Sequence, residues 1–93
     1  MNSSSSYVTI DSPRGDAIVT GMVTINCSFS QMSDIDVLEL WIDGTYSGIN
    51  EGSKPYLLSW DTSNYEDKEY SIIVRIIYEN GSYIDSGPVL VKV

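Results

Sequence analysis

Hydrophobic and polar residues alternate with a period of two along most of this chain, in short segments cut by turn residues at intervals of roughly 8 to 12 residues. Segments of that kind read as half-buried strands, and no segment carries the 3.6-residue stripe of an amphipathic helix. A first strand is expected over Tyr7–Ile10, stopped by the Asp11-Ser12-Pro13-Arg14-Gly15-Asp16 turn, with a second run starting at Ala17. From Met22 to Phe29 the alternation puts Val23, Ile25, Cys27 and Phe29 on a core face and Thr24, Asn26 and Ser28 on the other. Val37–Ile42 ends at Asp43-Gly44, a hairpin signal that returns the chain through Thr45–Ile49. Tyr56, Leu58 and Trp60 then share one face of a further strand. Trp60 is expected to anchor the core, and its indole N–H needs a partner there.

The longest apolar strand is expected at Tyr70–Tyr78. The Asn80-Gly81 turn should pair it with a last strand at about Val89–Val93, and Ser86-Gly87-Pro88 marks a break or bulge just before that strand. These elements predict an all-β fold: an antiparallel β-sandwich of about seven strands with Greek-key connections. The serine run Ser3–Ser6 after Met1-Asn2 reads as a disordered or added tail, so residues 1–6 are set apart and the domain is expected over residues 7–93.

The order of these pieces resembles the bacterial and archaeal immunoglobulin-like (Big-type) modules of secreted and cell-surface proteins. The matching residues are Val8-Thr9-Ile10 with Ser12-Pro13, Val19-Thr20-Gly21 running into Val23-Thr24-Ile25, and Leu38-Glu39-Leu40-Trp41-Ile42-Asp43-Gly44. Pro55-Tyr56 leading to Trp60-Asp61-Thr62 and the alternating strand from Tyr70 complete the set. The resemblance implies an immunoglobulin-like sandwich that spaces, orients or docks neighbouring domains outside the cell. It brings no catalytic residues and names no ligand. Two departures stand out. Ile76 and Tyr78 replace the small residue and Asp usual near the end of the long strand, and Glu66-Asp67-Lys68-Glu69 replaces a Gly-containing turn before it. The resemblance therefore carries no cation site to that point.

Composition narrows the function. A net charge of −8 repels phosphate backbones, and the five cations Arg14, Lys54, Lys68, Arg75 and Lys92 never cluster, which argues against a nucleic-acid partner. No stretch approaches the roughly 20 apolar residues of a membrane span. With no His and one Cys, the commonest general base is missing and an intrachain disulfide is excluded. Cys27, in the apolar phase of its strand, reads as a small buried hydrophobe. Asp43 and Asp61 are the acids at recurrent family positions, and turn or backbone hydrogen bonding accounts for both. The expectation is a chain that is not an enzyme and has no catalytic, cofactor-binding or metal-ligating residues.

One candidate partner surface emerges from the phase of the strands. If Leu38, Leu40 and Ile42 face the core, then Val37, Glu39 and Trp41 face out; if Ile72, Val74 and Ile76 face the core, then Ile73, Arg75 and Ile77 face out. Were the two strands neighbours, Val37, Trp41, Ile73 and Ile77 would form an outer apolar patch, with Leu90 beside it on the last strand. The stems of Arg75, Glu39 and Lys92, or an adjoining domain, would cover it; otherwise it would bind a second copy, another surface protein or a glycan. A lone outward Trp among aliphatics suits protein contact better than sugar. Calcium is an alternative at the loop acids Asp11 and Asp16, Asp34 and Asp36, and Glu66, Asp67 and Glu69, although no EF-hand pattern is present. Asn2, Asn26 and Asn80 each head an N-glycosylation triplet, as an exported protein would carry.

Overall fold

A computed structural model describes residues 6–30 and 33–93. Nine strands form among them: β1 (Val8–Ser12), β2 (Ala17–Ile18), β3 (Met22–Phe29), β4 (Ile35–Ile42), β5 (Thr45–Glu51), β6 (Leu58–Asp61), β7 (Glu69–Tyr78), β8 (Tyr83–Asp85) and β9 (Val89–Lys92). They build a small sheet in the order β1-β3-β6 and a large one in the order β2-β9-β7-β4-β5, with β8 also on β7. The architecture is the all-β sandwich that the alternation predicts, of the immunoglobulin-like kind that the resemblance implies.

Two details differ from the expectation. The chain crosses from the small sheet to the large one between β1 and β2, so β2 runs parallel to β9, Ala17 opposite Val91, in an otherwise antiparallel assembly. The Asn80-Gly81 turn delivers the chain first to β8, which pairs with the second half of β7, and only then to β9, which pairs with the first half. The expected break at Ser86-Gly87-Pro88 separates the two. There the Val74 N–H donates to the Ser86 hydroxyl (2.9 Å), while the Ser86 N–H donates to the Val74 carbonyl (2.9 Å), so the ladder survives the bulge. Splitting these edges is what raises the strand count above seven.

Between the sheets lies the core. Leu38, Leu40 and Ile42 of β4 stand opposite Ile76, Val74 and Ile72 of β7, and all six are buried. Facing them are Ile25 of β3 and Leu58 and Trp60 of β6, with Val23, Cys27 and Phe29 half-buried beside Ile25. Fully burying each large apolar side chain contributes roughly 1.5–3 kcal/mol before conformational entropy is charged against it. Trp60 is completely enclosed and makes edge-to-face contacts with Tyr65 (centroids 5.2 Å apart) and Tyr70 (6.0 Å). Its indole N–H, which was expected to find a hydrogen-bond partner, has none among the described residues. Tyr56 is buried with Leu58 and Trp60 as expected, but it precedes the strand, at a left-handed φ of 58°.

Turn chemistry fixes the registers. Asp43 and Gly44 have φ of 52° and 80°, the two positive values that a tight primed hairpin requires, and Ile42 faces Thr45 across it. At the other hairpin Gly81 takes φ 90°, the Gly81 N–H donates to the Tyr78 carbonyl (2.9 Å), and the Tyr78 N–H donates to the Ser82 carbonyl (2.8 Å). β7 connects the two ends of a body measuring 45 × 22 × 22 Å.

Candidate functional site

The outer face of the large sheet brings together the residues singled out from the sequence. Trp41 of β4 stands opposite Ile73 of β7, Glu39 opposite Arg75 and Val37 opposite Ile77, and all six are half-buried. Leu90 of β9 lies opposite Ser71, one row beyond Ile73, and is 45% exposed. Strand phase alone placed these side chains outward, and the β4–β7 pairing made them neighbours.

Sequence reasoning missed the aromatic company of Trp41. Tyr46 of β5 faces it across the hairpin, with ring centroids 5.8 Å apart, a position the Asp43-Gly44 register already specified. Tyr83 of β8 enters from the other side, opposite Ile77, and was hidden because β8 was not foreseen. Between the rings of Trp41 and Tyr83 lies the Arg75 guanidinium, 4.2 Å from one centroid and 4.1 Å from the other. Its edge is held by Asp85, Nε at 2.8 Å and Nη2 at 3.2 Å from the two carboxylate oxygens. Those bonds to Asp85 push the arginine pKa still higher, so the guanidinium stays charged at any pH the fold survives.

The result is a layer of side chains running across four strands: Tyr46, Trp41, Arg75, Tyr83. The Trp41 indole N–H donates to Glu39 Oε1 (3.1 Å), and the Asn50 amide donates to the Tyr46 hydroxyl (2.9 Å). The guanidinium thus occupies one face of both Trp41 and Tyr83. Arg75 lies over Trp41 and Glu39 accepts its indole N–H, whereas Lys92 stands at the far end, opposite Glu69.

The acids are spread over local tasks. Asp43 Oδ1 accepts the Ser71 N–H (2.9 Å) and its other oxygen lies 3.8 Å from the Lys68 ammonium. Asp61 caps the 3-10 turn Thr62–Asn64 by accepting the Ser63 N–H (3.0 Å), and hydrogen bonding from the Ser63 side chain, then from its N–H, lowers the Asp61 pKa. Asp11 accepts a hydrogen bond from the Ser28 hydroxyl. Among the described residues no three acidic or cysteine side chains converge as a cation site requires. Asn26 is exposed in mid-strand opposite Ser12, and Asn80 is exposed at its turn; Asn2 lies outside the described residues.

Cys27 is half-buried and its thiol is pushed up to about 11 from 9.0, chiefly by burial and then by the Asp11 charge. A shift of that size leaves about a hundredfold less thiolate at pH 8 than in the unfolded chain. Alkylation by iodoacetamide at pH 8 is therefore expected to run at least a hundredfold slower in the native protein than in urea; comparable rates would contradict this environment. The sign for stability follows. A raised pKa favours folding below the unfolded value, and that contribution disappears as pH climbs through about 11.

A family model described as bacterial Ig domain matches residues 7–74. Among solved structures, the fibronectin(III)-like modules of Clostridium thermocellum CbhA superpose with a TM-score of 0.77 at 18% identity, over 91% of this chain and 92% of that one. The endo-beta-1,4-mannanase from Thermotoga petrophila matches with a TM-score of 0.72 at 11% identity, over 98% of this chain and 20% of the mannanase. At these identities the likeness is one of fold. No curated protein matches the sequence.

Proposed function

The chain belongs to the bacterial Ig domain family, and from that membership and the placement of its ends we propose that it is a non-catalytic extracellular module that spaces, orients or docks neighbouring domains of a secreted or cell-surface protein. Bacterial Ig domains usually occur in extracellular or surface proteins, and they and fibronectin(III)-like domains are generally non-catalytic. Among the described residues no helix is long and apolar enough to cross a membrane.

One observation carries the reading. Tyr7 is held by Ser30 through bonds of 3.1 Å and 2.9 Å, and Ser6 lies beside the 79–82 turn at one end of β7. The Val93 N–H is held by the Lys68 carbonyl (3.0 Å), beside the Asp43-Gly44 turn at the opposite end. The chain therefore enters and leaves at opposite tips of a 45 Å body, so whatever adjoins either tip is held apart in line rather than side by side. The mannanase supports the modular reading, since a body of this fold accounts for 20% of that chain.

Sedimentation equilibrium over a concentration series, with calcium and with chelator, tests it. A monomer is expected throughout, for the native chain and for Trp41→Ser alike. A native dimer that Trp41→Ser abolishes would replace the spacer with an assembly or adhesion module working through the outer sheet.

A further inference from the structure

The turn between β7 and β8 carries an Asn-Gly pair, Asn80-Gly81, at the tip where the chain enters. In such a pair the backbone nitrogen of the second residue can attack the side-chain amide of the first. Glycine hinders that attack least, because no Cβ stands beside the nitrogen. Asn80 is exposed, and Gly81 takes φ 90° with open space around it.

The turn also prepares the amide. Asn80 Oδ1 accepts two hydrogen bonds, from the Ser82 N–H (2.9 Å) and from the Ser82 hydroxyl (2.6 Å). The first closes a turn through the side chain, which folds the amide back along the Gly81 backbone. Together the two donors draw electrons from Cγ, and they are already placed to stabilise the negative charge that Oδ1 gains on attack. The Gly81 N–H donates to the Tyr78 carbonyl (2.9 Å), a bond that opens before the nitrogen loses its proton; at an exposed loop tip such opening is among the least costly motions of a fold.

The other described asparagines lack this arrangement. Asn26 precedes Cys27, paired in the ladder with Ile10, and Asn50 precedes Glu51, paired with Leu38. The Asn50 amide donates to the Tyr46 hydroxyl, and Asn64 precedes Tyr65, whose N–H closes the 3-10 turn onto Thr62. In all three the following residue has a side chain that crowds the nitrogen.

We propose that Asn80 is a site of spontaneous deamidation in the folded protein, with Ser82 as the residue that activates it. Hydroxide takes the Gly81 amide proton, and the nitrogen pair forms a bond to Asn80 Cγ while the Cγ–Oδ1 π pair moves onto Oδ1. As that pair returns, the Cγ–Nδ2 bond breaks, and Nδ2 takes a proton from water and leaves as ammonia. The product is a five-membered succinimide. Water then adds to one of its two carbonyls and the ring nitrogen leaves with a proton, giving aspartate when the ring opens at Cγ and isoaspartate when it opens at the Asn80 backbone carbonyl. The sum is amide plus water to carboxylic acid plus ammonia, with no oxidant or reductant. Either product adds a negative charge beside Glu79. Isoaspartate also lengthens the main chain by one methylene inside the hairpin, where the Tyr78 N–H donates to the Ser82 carbonyl (2.8 Å). The proposal rests on the turn alone and is independent of the spacer reading.

The test is incubation of the whole chain at pH 8 and pH 6, followed by tryptic digestion and mass spectrometry. A gain of one mass unit is expected in the peptide Ile76–Lys92, whose sole asparagine is Asn80, and not in Gly15–Lys68, which carries Asn26, Asn50 and Asn64. The gain should be faster at pH 8, and an isoaspartate methyltransferase should label the product. Asn80→Ser should abolish it. Ser82→Ala should slow it severalfold by removing one of the two Oδ1 donors, and Ser82→Thr, which keeps the hydroxyl, should restore it. In urea, where the turn is gone, Ser82→Ala and the native chain should react alike. A native chain that keeps its mass while the urea-unfolded chain gains would show that the fold protects Asn80 and would overturn the proposal. So would an equal gain in Gly15–Lys68, or a folded Ser82→Ala chain that reacts as fast as the native one.

Discussion

Trp60→Ala is expected to lower the unfolding free energy by about 3–5 kcal/mol, a large share of the roughly 5–15 kcal/mol typical of a domain. The indole is fully enclosed, and its edge-to-face contacts with Tyr65 and Tyr70 join β6, the 3-10 turn and β7 into one aromatic group, so its removal opens a cavity where both sheets meet. Trp60→Phe separates volume from polarity. It keeps a ring in the group and deletes an N–H that has no hydrogen-bond partner among the described residues, so the lost packing is offset and a net cost below about 1.5 kcal/mol is expected. Urea denaturation of both variants measures this, with m unchanged. Equal losses would mean that the indole N–H contributes a favourable interaction with its aromatic neighbours.

Arg75→Ala should cost about 2–3 kcal/mol. Two ring contacts near 4 Å contribute about 0.5–1 kcal/mol each at exposed sites and more where water is excluded, and the two-pronged bond to Asp85, partly shielded from solvent, adds up to about 1 kcal/mol. The substitution also unties β8. Amide exchange at Tyr83, Ile84 and Asp85 should accelerate well before the rest of β7 is affected, because Arg75 is the side chain that links β8 to Trp41. Arg75→Lys should restore less than half of the loss, since an ammonium cannot lie flat between two rings while holding both oxygens of Asp85. A loss under 0.5 kcal/mol for Arg75→Ala would show that the layer is decoration on a face the backbone holds unaided.

The two variants act on different links between sequence and structure. Trp60 was recognisable as core from its phase with Leu58. Arg75 was recognisable only as an outward cation whose stem would cover neighbours, and its position between two aromatic rings was not. The reason is distance along the chain. Trp41 and Arg75 meet through the pairing of β4 with β7, and Tyr83 meets Arg75 through a hairpin whose partner strand is cut short at Ser86.

Local chemistry was sufficient for much of this protein. Period-two alternation assigns β3, β4 and β7 and separates their buried from their outer faces, because neighbouring side chains on a strand must point to opposite sides. Asp43-Gly44 specifies its hairpin because both residues tolerate positive φ, and that register in turn implies the Trp41–Tyr46 contact. The outward set Val37, Trp41, Ile73 and Ile77 followed from phase plus one assumption about which strands adjoin. Tertiary structure alone decided the rest: the crossing that makes β2 parallel to β9, the division of the last hairpin into β8 and β9, and the closure of Arg75 between two rings. It also placed Asp34 beside Glu79 at one tip. Each of these depends on the pairing and register of segments far apart in the chain, where the free energy of packing two sheets selects among arrangements that local propensity leaves nearly equal.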